Sequence, residues 1–296
     1  ILGRAVKADL TVTFAFPKVG HYIHPGASLS GILKTVDIAI PTVLTNKCLL
    51  SHILVDSCEA LPLLPLRPVT GHKGTFGHLL IVGGSTGKSG AAAMTAEGGL
   101  RIGTALVTVA CPASINPALE VKLTEAMTAP LDEVDGFLSL QCIELLRGLF
   151  DDKECIAIGP GLGSFEETAA LVRHVVRECP VPLVIDADGI NAVAGHLELL
   201  KERTAPTVLT PHPGEMARLV GKSVTDVEAD RIGFARRFAT EYAVVLVLKG
   251  APTVTALPDG TVRINGSGNP ALASGGTGDV LTGLIGGLIA QGLDAS

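Results

Sequence analysis

The 296-residue chain is 47% apolar and only 3% aromatic, has no tryptophan, and carries 35 glycines and a formal net charge of −6. That size allows one large domain or two smaller ones, and the aliphatic, glycine-rich balance suits an α/β protein with buried parallel strands. The acid excess argues against a nucleic-acid surface, no apolar run reaches the ~18–20 residues of a membrane span, and six cysteines without a CxxC pair are expected to be buried and reduced rather than metal-binding.

Leu10 to Phe16 reads as a short strand, ended by Pro17-Lys18-Val19-Gly20, with a turn at Pro25-Gly26 and a second short strand at Val36–Ile40. Two strands and a loop cannot bury a core alone. Residues 1–58 are therefore expected to be the tail of a domain whose body lies upstream. Residues 59–70, with prolines at 62, 65 and 68, are an extended connector. The main domain is expected over 71–296. A chain that opens on Ile1 and stops soon after an apolar helix is expected to be cut from a longer protein at both ends.

Beyond the connector, aliphatic strands alternate with helical patterns. Strands are predicted at His78–Val82, Ala105–Ala110, Cys155–Ile158, Pro182–Asp186, Thr207–Leu209, Val244–Leu248, Thr253–Ala256 and Thr261–Ile264. Helices are predicted around 90–102, 139–150, 165–178 and 226–240. The alternation predicts βαβ units and a mainly parallel sheet flanked by helices. Pro258-Asp259-Gly260 predicts a hairpin, and apolar residues at 280, 281, 284, 285, 288 and 289 predict a final helix from Asp279 to about Gln291.

The chemistry-bearing residues lie in loops after the strands, where open α/β sheets bind ligands. Gly275-Gly276-Thr277-Gly278-Asp279 opens the final helix. Glycines let backbone N–H groups approach an anion, and the helix start adds unpaired donors and a positive dipole end. Asp279 there either caps the helix or is a base beside a phosphate site; the glycines favour the second reading. The dipole and amides are expected to favour its ionised form. Lys249 to Thr253 ends a strongly apolar strand, where Lys249 is either a solvated lysine or a ligand to phosphate. Thr210-Pro211-His212-Pro213-Gly214-Glu215 holds His212 in a stiff loop, either as an exposed turn residue or in a pocket rim. Asp186-Ala187-Asp188 and Gly159-Pro160-Gly161-Leu162-Gly163 complete the rim.

Two look-alikes fail on spacing. Gly83–Ser89 ends in Gly87-Lys88-Ser89, but Val82 stands where a Walker A loop needs its first glycine. Gly159, Gly161 and Gly163 are followed by Ser164, so the dinucleotide GxGxxG pattern is absent.

Taken with His72–Gly77 and Gly90-Ala91-Ala92, these stretches resemble the ADP- or ATP-dependent NAD(P)H-hydrate dehydratases, a family of ribokinase-like fold, in family order from about residue 70 onward. Ala8 to Pro41 resembles the end of an NAD(P)H-hydrate epimerase domain, whose K+ and substrate residues would lie upstream; epimerase activity is not expected here. The resemblance implies that NADH or NADPH hydrated at C6 is phosphorylated on that hydroxyl by ADP or ATP and then loses phosphate. It implies that Ala91, Gly161, His212 and Asp279 contact the hydrated cofactor, and that Lys249, Gly250, Ala251, Pro252, Thr253 and Gly278 hold the nucleotide. Asp279 would be the general base, the Gly275, Gly276, Thr277 and Gly278 amides an anion hole, and Glu215 a residue that positions Mg2+. ADP is favoured, and the expected protein is a cytoplasmic homotetramer without nucleic-acid or membrane partners. The rival readings are a small-molecule kinase of the same fold and a non-catalytic nucleotide sensor; the His212 loop opposes the first, and Asp279 with Lys249 opposes the second.

Overall fold

The computed structural model describes residues 4–48 and 50–296. Strands β1 (Leu10–Phe14) and β2 (Ile32–Val36) pair in parallel as a small separate sheet. β1 stops at Ala15, whose φ is +62°, and Lys18 Nζ closes the following turn on the Phe14 and Phe16 carbonyls at 2.8 and 2.7 Å. The second strand lies four residues earlier than the expected Val36–Ile40. Asp37 Oδ1 accepts the Ala39 amide at 2.8 Å, Ala39 has φ +58°, and Pro41 follows, so 37–40 form a turn. The small sheet leaves Leu10, Val12 and Phe14 about half exposed at 54%, 49% and 58%. Val19, Tyr22 and Ile23 tuck against the main core instead.

The large sheet has ten strands. In chain order these are β3 (His52–Val55), β4 (His78–Val82), β5 (Leu106–Pro112), β6 (Met127–Leu131), β9 (Cys155–Ile158), β10 (Leu183–Ile185), β11 (Thr207–Leu209), β12 (Val245–Leu248), β13 (Val254–Ala256) and β14 (Val262–Asn265). A two-residue hairpin, β7 (Glu133–Val134) and β8 (Phe137–Leu138), stands apart. Across the sheet the order is β3-β14-β13-β12-β11-β10-β9-β4-β5-β6, and only β13 runs antiparallel to its neighbours. Sequence pattern missed β3, which pairs in parallel with β14 although it lies in the segment assigned to the upstream domain. It also missed β6, an edge strand containing Pro130, as edge strands tolerate.

The inner strands are apolar throughout because both faces are covered. Leu80 and Val82 of β4 face one core, with Ile158, Ile185 and the Glu166–Glu178 helix; Leu79 and Ile81 face the other, with Ala92, Ala96 and Ile289. Helices Ser89–Arg101 and Thr277–Ala290 cover that second face and touch backbone to backbone. A Cβ on Gly98 would stand 2.6 Å from the Val280 carbonyl oxygen, and one on Gly283 would overlap that of Thr95. The helical pattern at 226–240 is two helices, Val224–Ala229 and Arg231–Tyr242, because Asp230 leaves helical geometry and its Oδ1 caps the second at Gly233 N, 2.9 Å away. The pattern at 139–150 likewise shortens to a 3-10 turn and Ile143–Arg147.

Chain progress reverses between β4 and β9: β5 and β6 extend the sheet one way, β9 to β12 the other. The crevice beyond the carboxyl ends of strands at such a switch point is where ligands bind in open α/β sheets.

Candidate active site

Asp186, the residue after β10, is buried and gathers three donors. Its Oδ1 accepts from Lys249 Nζ at 2.8 Å and Thr210 Oγ1 at 2.7 Å; its Oδ2 accepts from Thr282 Oγ1 at 2.7 Å. One carboxylate thus ties together the loops after β10, β11 and β12 and the final helix. Its role was not visible in the sequence, although Asp186 lies in a stretch that carries the family resemblance. Sequence separations of 24, 63 and 96 residues hide such pairings.

Ala187, next in the chain, has φ +48° and ψ −118°, a conformation an alanine adopts at a cost on the order of 1–3 kcal/mol. That backbone carries Asp188 to the adjoining loop, where its Oδ2 accepts the Gly163 amide at 2.7 Å and Lys88 Nζ at 3.3 Å. The lysine of the failed Walker-like loop is therefore engaged with Asp188. Gly161 packs against the start of the Ser89–Arg101 helix, where a Cβ on it would sit 3.0 Å from the Ala91 Cβ, so these two candidate residues adjoin.

The final helix spans Thr277–Ala290 with Gly276 (φ +91°) as its N-cap, so Asp279 is the third helical residue and not the cap. Glycine is needed there: besides the positive φ, a Cβ would strike the Met94 side chain. Thr277 Oγ1 spends its proton on the Leu272 and Ser274 carbonyls, at 3.0 and 2.8 Å. The first-turn amides thus lack intrahelical partners, as at any helix start. A Cβ on Gly278 would lie 3.5 Å from Lys249 Nζ and 3.9 Å from Asp186 Oδ2, which brings Gly278 and Lys249 together.

No donor among the described residues hydrogen-bonds the half-buried Asp279 carboxylate. Burial, then Asp186, and more weakly Asp188, push its pKa above the ordinary carboxylate range, against the pull of Lys249. Desolvation and like charge therefore oppose the helix start at this carboxylate. The shift makes the ionised carboxylate a stronger base.

Glu215, buried, accepts the His212 amide at Oε2 (2.7 Å) with Lys249 Nζ 3.8 Å away, and burial raises its pKa. His212 caps the Pro213–Val220 helix: its Nδ1 accepts from Gly214 N and Glu215 N at 2.9 and 3.3 Å. Nδ1 is thus the acceptor, and the neutral ring carries its proton on Nε2. Burial, then Lys249 and Arg218, lower its pKa, which favours that neutral form. The half-exposed imidazole presents Nε2–H at the rim. Among the described residues no group of three or more His, Cys, Asp or Glu is arranged to hold a metal ion. Gly250 to Thr253 form the turn between β12 and β13 on the same side of the crevice as Lys249, which anchors it on Asp186.

A family model described as NAD(P)H-hydrate dehydratase matches residues 79–296. The chain belongs to the NAD(P)H-hydrate dehydratase family. It is 44% identical over 292 residues to the bifunctional NAD(P)H-hydrate repair enzyme of Moorella thermoacetica, covering 98% of this chain and 55% of that protein. The Escherichia coli bifunctional repair enzyme is 36% identical over 294 residues, with 98% and 53% covered. The chain therefore spans about half the length of the curated relatives it matches. Among solved structures, the ADP/ATP-dependent NAD(P)H-hydrate dehydratase of Bacillus subtilis, co-crystallised with ATP and Mg2+, superposes with a TM-score of 0.67 at 34% identity, covering 80% of this chain and 81% of that one. A ribokinase-like protein of Enterococcus faecalis superposes at 0.69 with 26% identity and 81% of both chains covered. The ribokinase-like fold of the dehydratase family is thus the fold of this chain.

Proposed function

We propose that this chain dehydrates hydrated NADH and NADPH at the expense of ADP or ATP, with Asp279 as general base. The observation that carries the reading is the Asp279 carboxylate, without a protein donor, on the first turn of the final helix, beside Gly278 and the Lys249–Asp186 pair. The C6 hydroxyl of the hydrated ring gives its proton to Asp279 as its oxygen bonds to the terminal phosphorus. The bond from that phosphorus to the bridging oxygen breaks, leaving AMP from ADP or ADP from ATP. Charge on the transferring phosphoryl group is met by the Gly275–Gly278 turn and the helix start, and by Lys249. The C6–O bond then breaks with release of phosphate, driven by the ring nitrogen electron pair, and loss of a proton from C5 of the resulting iminium restores the dihydropyridine ring. Water alone is a poor leaving group, which is the reason for spending a nucleotide.

Lys249 through Thr253 and Gly278 hold the nucleotide in this reading, and Ala91, Gly161 and His212 face the hydrated cofactor. Glu215 is given a role toward Mg2+: among the described residues its Oε1 accepts no hydrogen bond, with His212 Nε2 3.5 Å away. When bound with the nucleotide, Mg2+ would neutralise phosphate charge. Residues 8–41 are read as the end of an epimerase domain whose body this chain does not contain, while β3, within the expected 1–58, joins the large sheet. The half-exposed apolar side chains of β1 support that reading. The decisive experiment incubates hydrated NADH with ADP or ATP and Mg2+ and follows the return of NADH absorbance. Return with either nucleotide, and none without, is expected. A stable phosphorylated product would make the chain a kinase instead; no nucleotide requirement would refute the mechanism.

A further inference from the structure

We propose that Arg231 is the positioning residue of the nucleotide-binding turn, a buried cation around which Leu248 to Pro252 wrap so that the turn presents its amides outward. Its side chain is 4% exposed, at the first position of the Arg231–Tyr242 helix. Nη2 faces three backbone carbonyls of the turn: Leu248 at 3.2 Å, Lys249 at 3.0 Å and Pro252 at 3.1 Å. Nη1 donates to Glu228 Oε1 at 2.7 Å, while Nε is buried without a partner. Gly250 lies directly over the guanidinium: with φ +147°, a Cβ there would stand 2.5 Å from Nη2.

Burying a guanidinium against backbone carbonyls, with one half-exposed carboxylate as counter-ion, is costly unless the arrangement serves something. The peptide plane indicates what. In a trans peptide the carbonyl and the following N–H point in opposite directions. Drawing the Lys249 carbonyl inward therefore turns the Gly250 amide outward, away from the cation. The Lys249 amide is held on the Pro211 carbonyl at 2.8 Å, which links the turn to the His212 loop. With its backbone fixed on both sides, Lys249 projects its ammonium onto Asp186. The outward Gly250 amide beside a lysine suits the phosphates of a nucleoside diphosphate or triphosphate. A lysine at 231 could not replace this, because one ammonium lacks the planar fork that spans several carbonyls. On the reading above, which this inference rests on, Arg231 sets nucleotide affinity without touching the reacting atoms.

The test compares wild type, Arg231→Met, Arg231→Lys and Arg231→Ala. ADP and ATP binding is measured by calorimetry, kcat and KM by NADH return, and folding by circular dichroism. Arg231→Met is expected to raise the nucleotide Kd and KM at least about 10-fold, while KM for hydrated NADH stays within about 3-fold. Arg231→Lys should recover only part of the loss, and millimolar guanidinium should restore affinity to Arg231→Ala. Unchanged nucleotide affinity in folded Arg231→Met overturns the proposal. So does an equal fall in all kinetic parameters, the mark of a merely structural charge. If Arg231→Met does not fold, Arg231→Lys carries the test: wild-type nucleotide affinity there overturns the proposal. Absence of nucleotide binding by wild type itself would instead refute the dehydratase reading.

Discussion

Asp279 pairs a helix start with two neighbouring carboxylates, and the balance between them is measurable. Asp279→Asn keeps size and removes the base, so turnover should fall by at least about 10²-fold with nucleotide binding retained. The variant should also melt at or above the wild-type temperature at neutral pH. The folded-state pKa of Asp279 is raised, so its stabilising contribution is present at low pH and lost as pH rises through the folded value. Above that value the ionised group strains against Asp186 and Asp188, and asparagine does not. A wild-type rate in Asp279→Asn would refute its role as base. The acid limb of kcat/KM should lie above the ordinary carboxylate value of about 4. Asp188→Asn still accepts the Gly163 amide but carries no charge, so the limb should move to lower pH; an unmoved limb would show that Asp188 does not act on Asp279. At this scale the sequence displayed Lys249 and His212, in loops after strands, and Asp279, on the first turn of the final helix. It did not display Asp186 as a hub, or Thr282 and Arg231 as partners. Thr282 lies inside an apolar helix, and Arg231 lies among residues that look like a solvated helix face.

The final helix and the Ser89–Arg101 helix cover the same face of the sheet, and their backbones touch. Gly283→Ala would gain roughly 1 kcal/mol of helix propensity in isolation. Here its Cβ meets the Thr95 carbonyl oxygen and, at 2.9 Å, the Gly99 amide nitrogen, both backbone atoms that cannot rotate away. A net loss of about 1–3 kcal/mol is expected in urea denaturation, the usual cost of overpacking. A stabilised variant would mean that the helices can part without penalty. The parallel strands of the sheet centre were legible as aliphatic runs, since both their faces are buried. β3 and β6 were not. Each is short and lies at an edge, and β6 contains Pro130, so neither the alternation of a half-exposed strand nor a long apolar run marks them. The split at Asp230 was hidden because both helices keep the same apolar spacing.

At the scale of the molecule, the proline-rich stretch around 61–68 looked like the border between two bodies. In the structure the chain passes it after already contributing β3 to the far edge of the large sheet, where His52 to Val55 pair with Val262 to Asn265. The same sheet carries the turn proposed to bind nucleotide two strands further in, between β12 and β13. A version of the chain starting at residue 71 would lack β3 and leave β14 as a bare edge with unpaired N–H and C=O groups. It should self-associate and melt lower than one starting at residue 50, measured by light scattering and thermal unfolding; equal behaviour would show that β3 is dispensable. The point where the two activities of a bifunctional relative would be divided on paper is thus not the point where this fold can be cut. The segment before the prolines acts as a selvedge for the sheet behind it, and an insertion, a protease nick or a gene fission in the connector would leave that strip on the wrong piece.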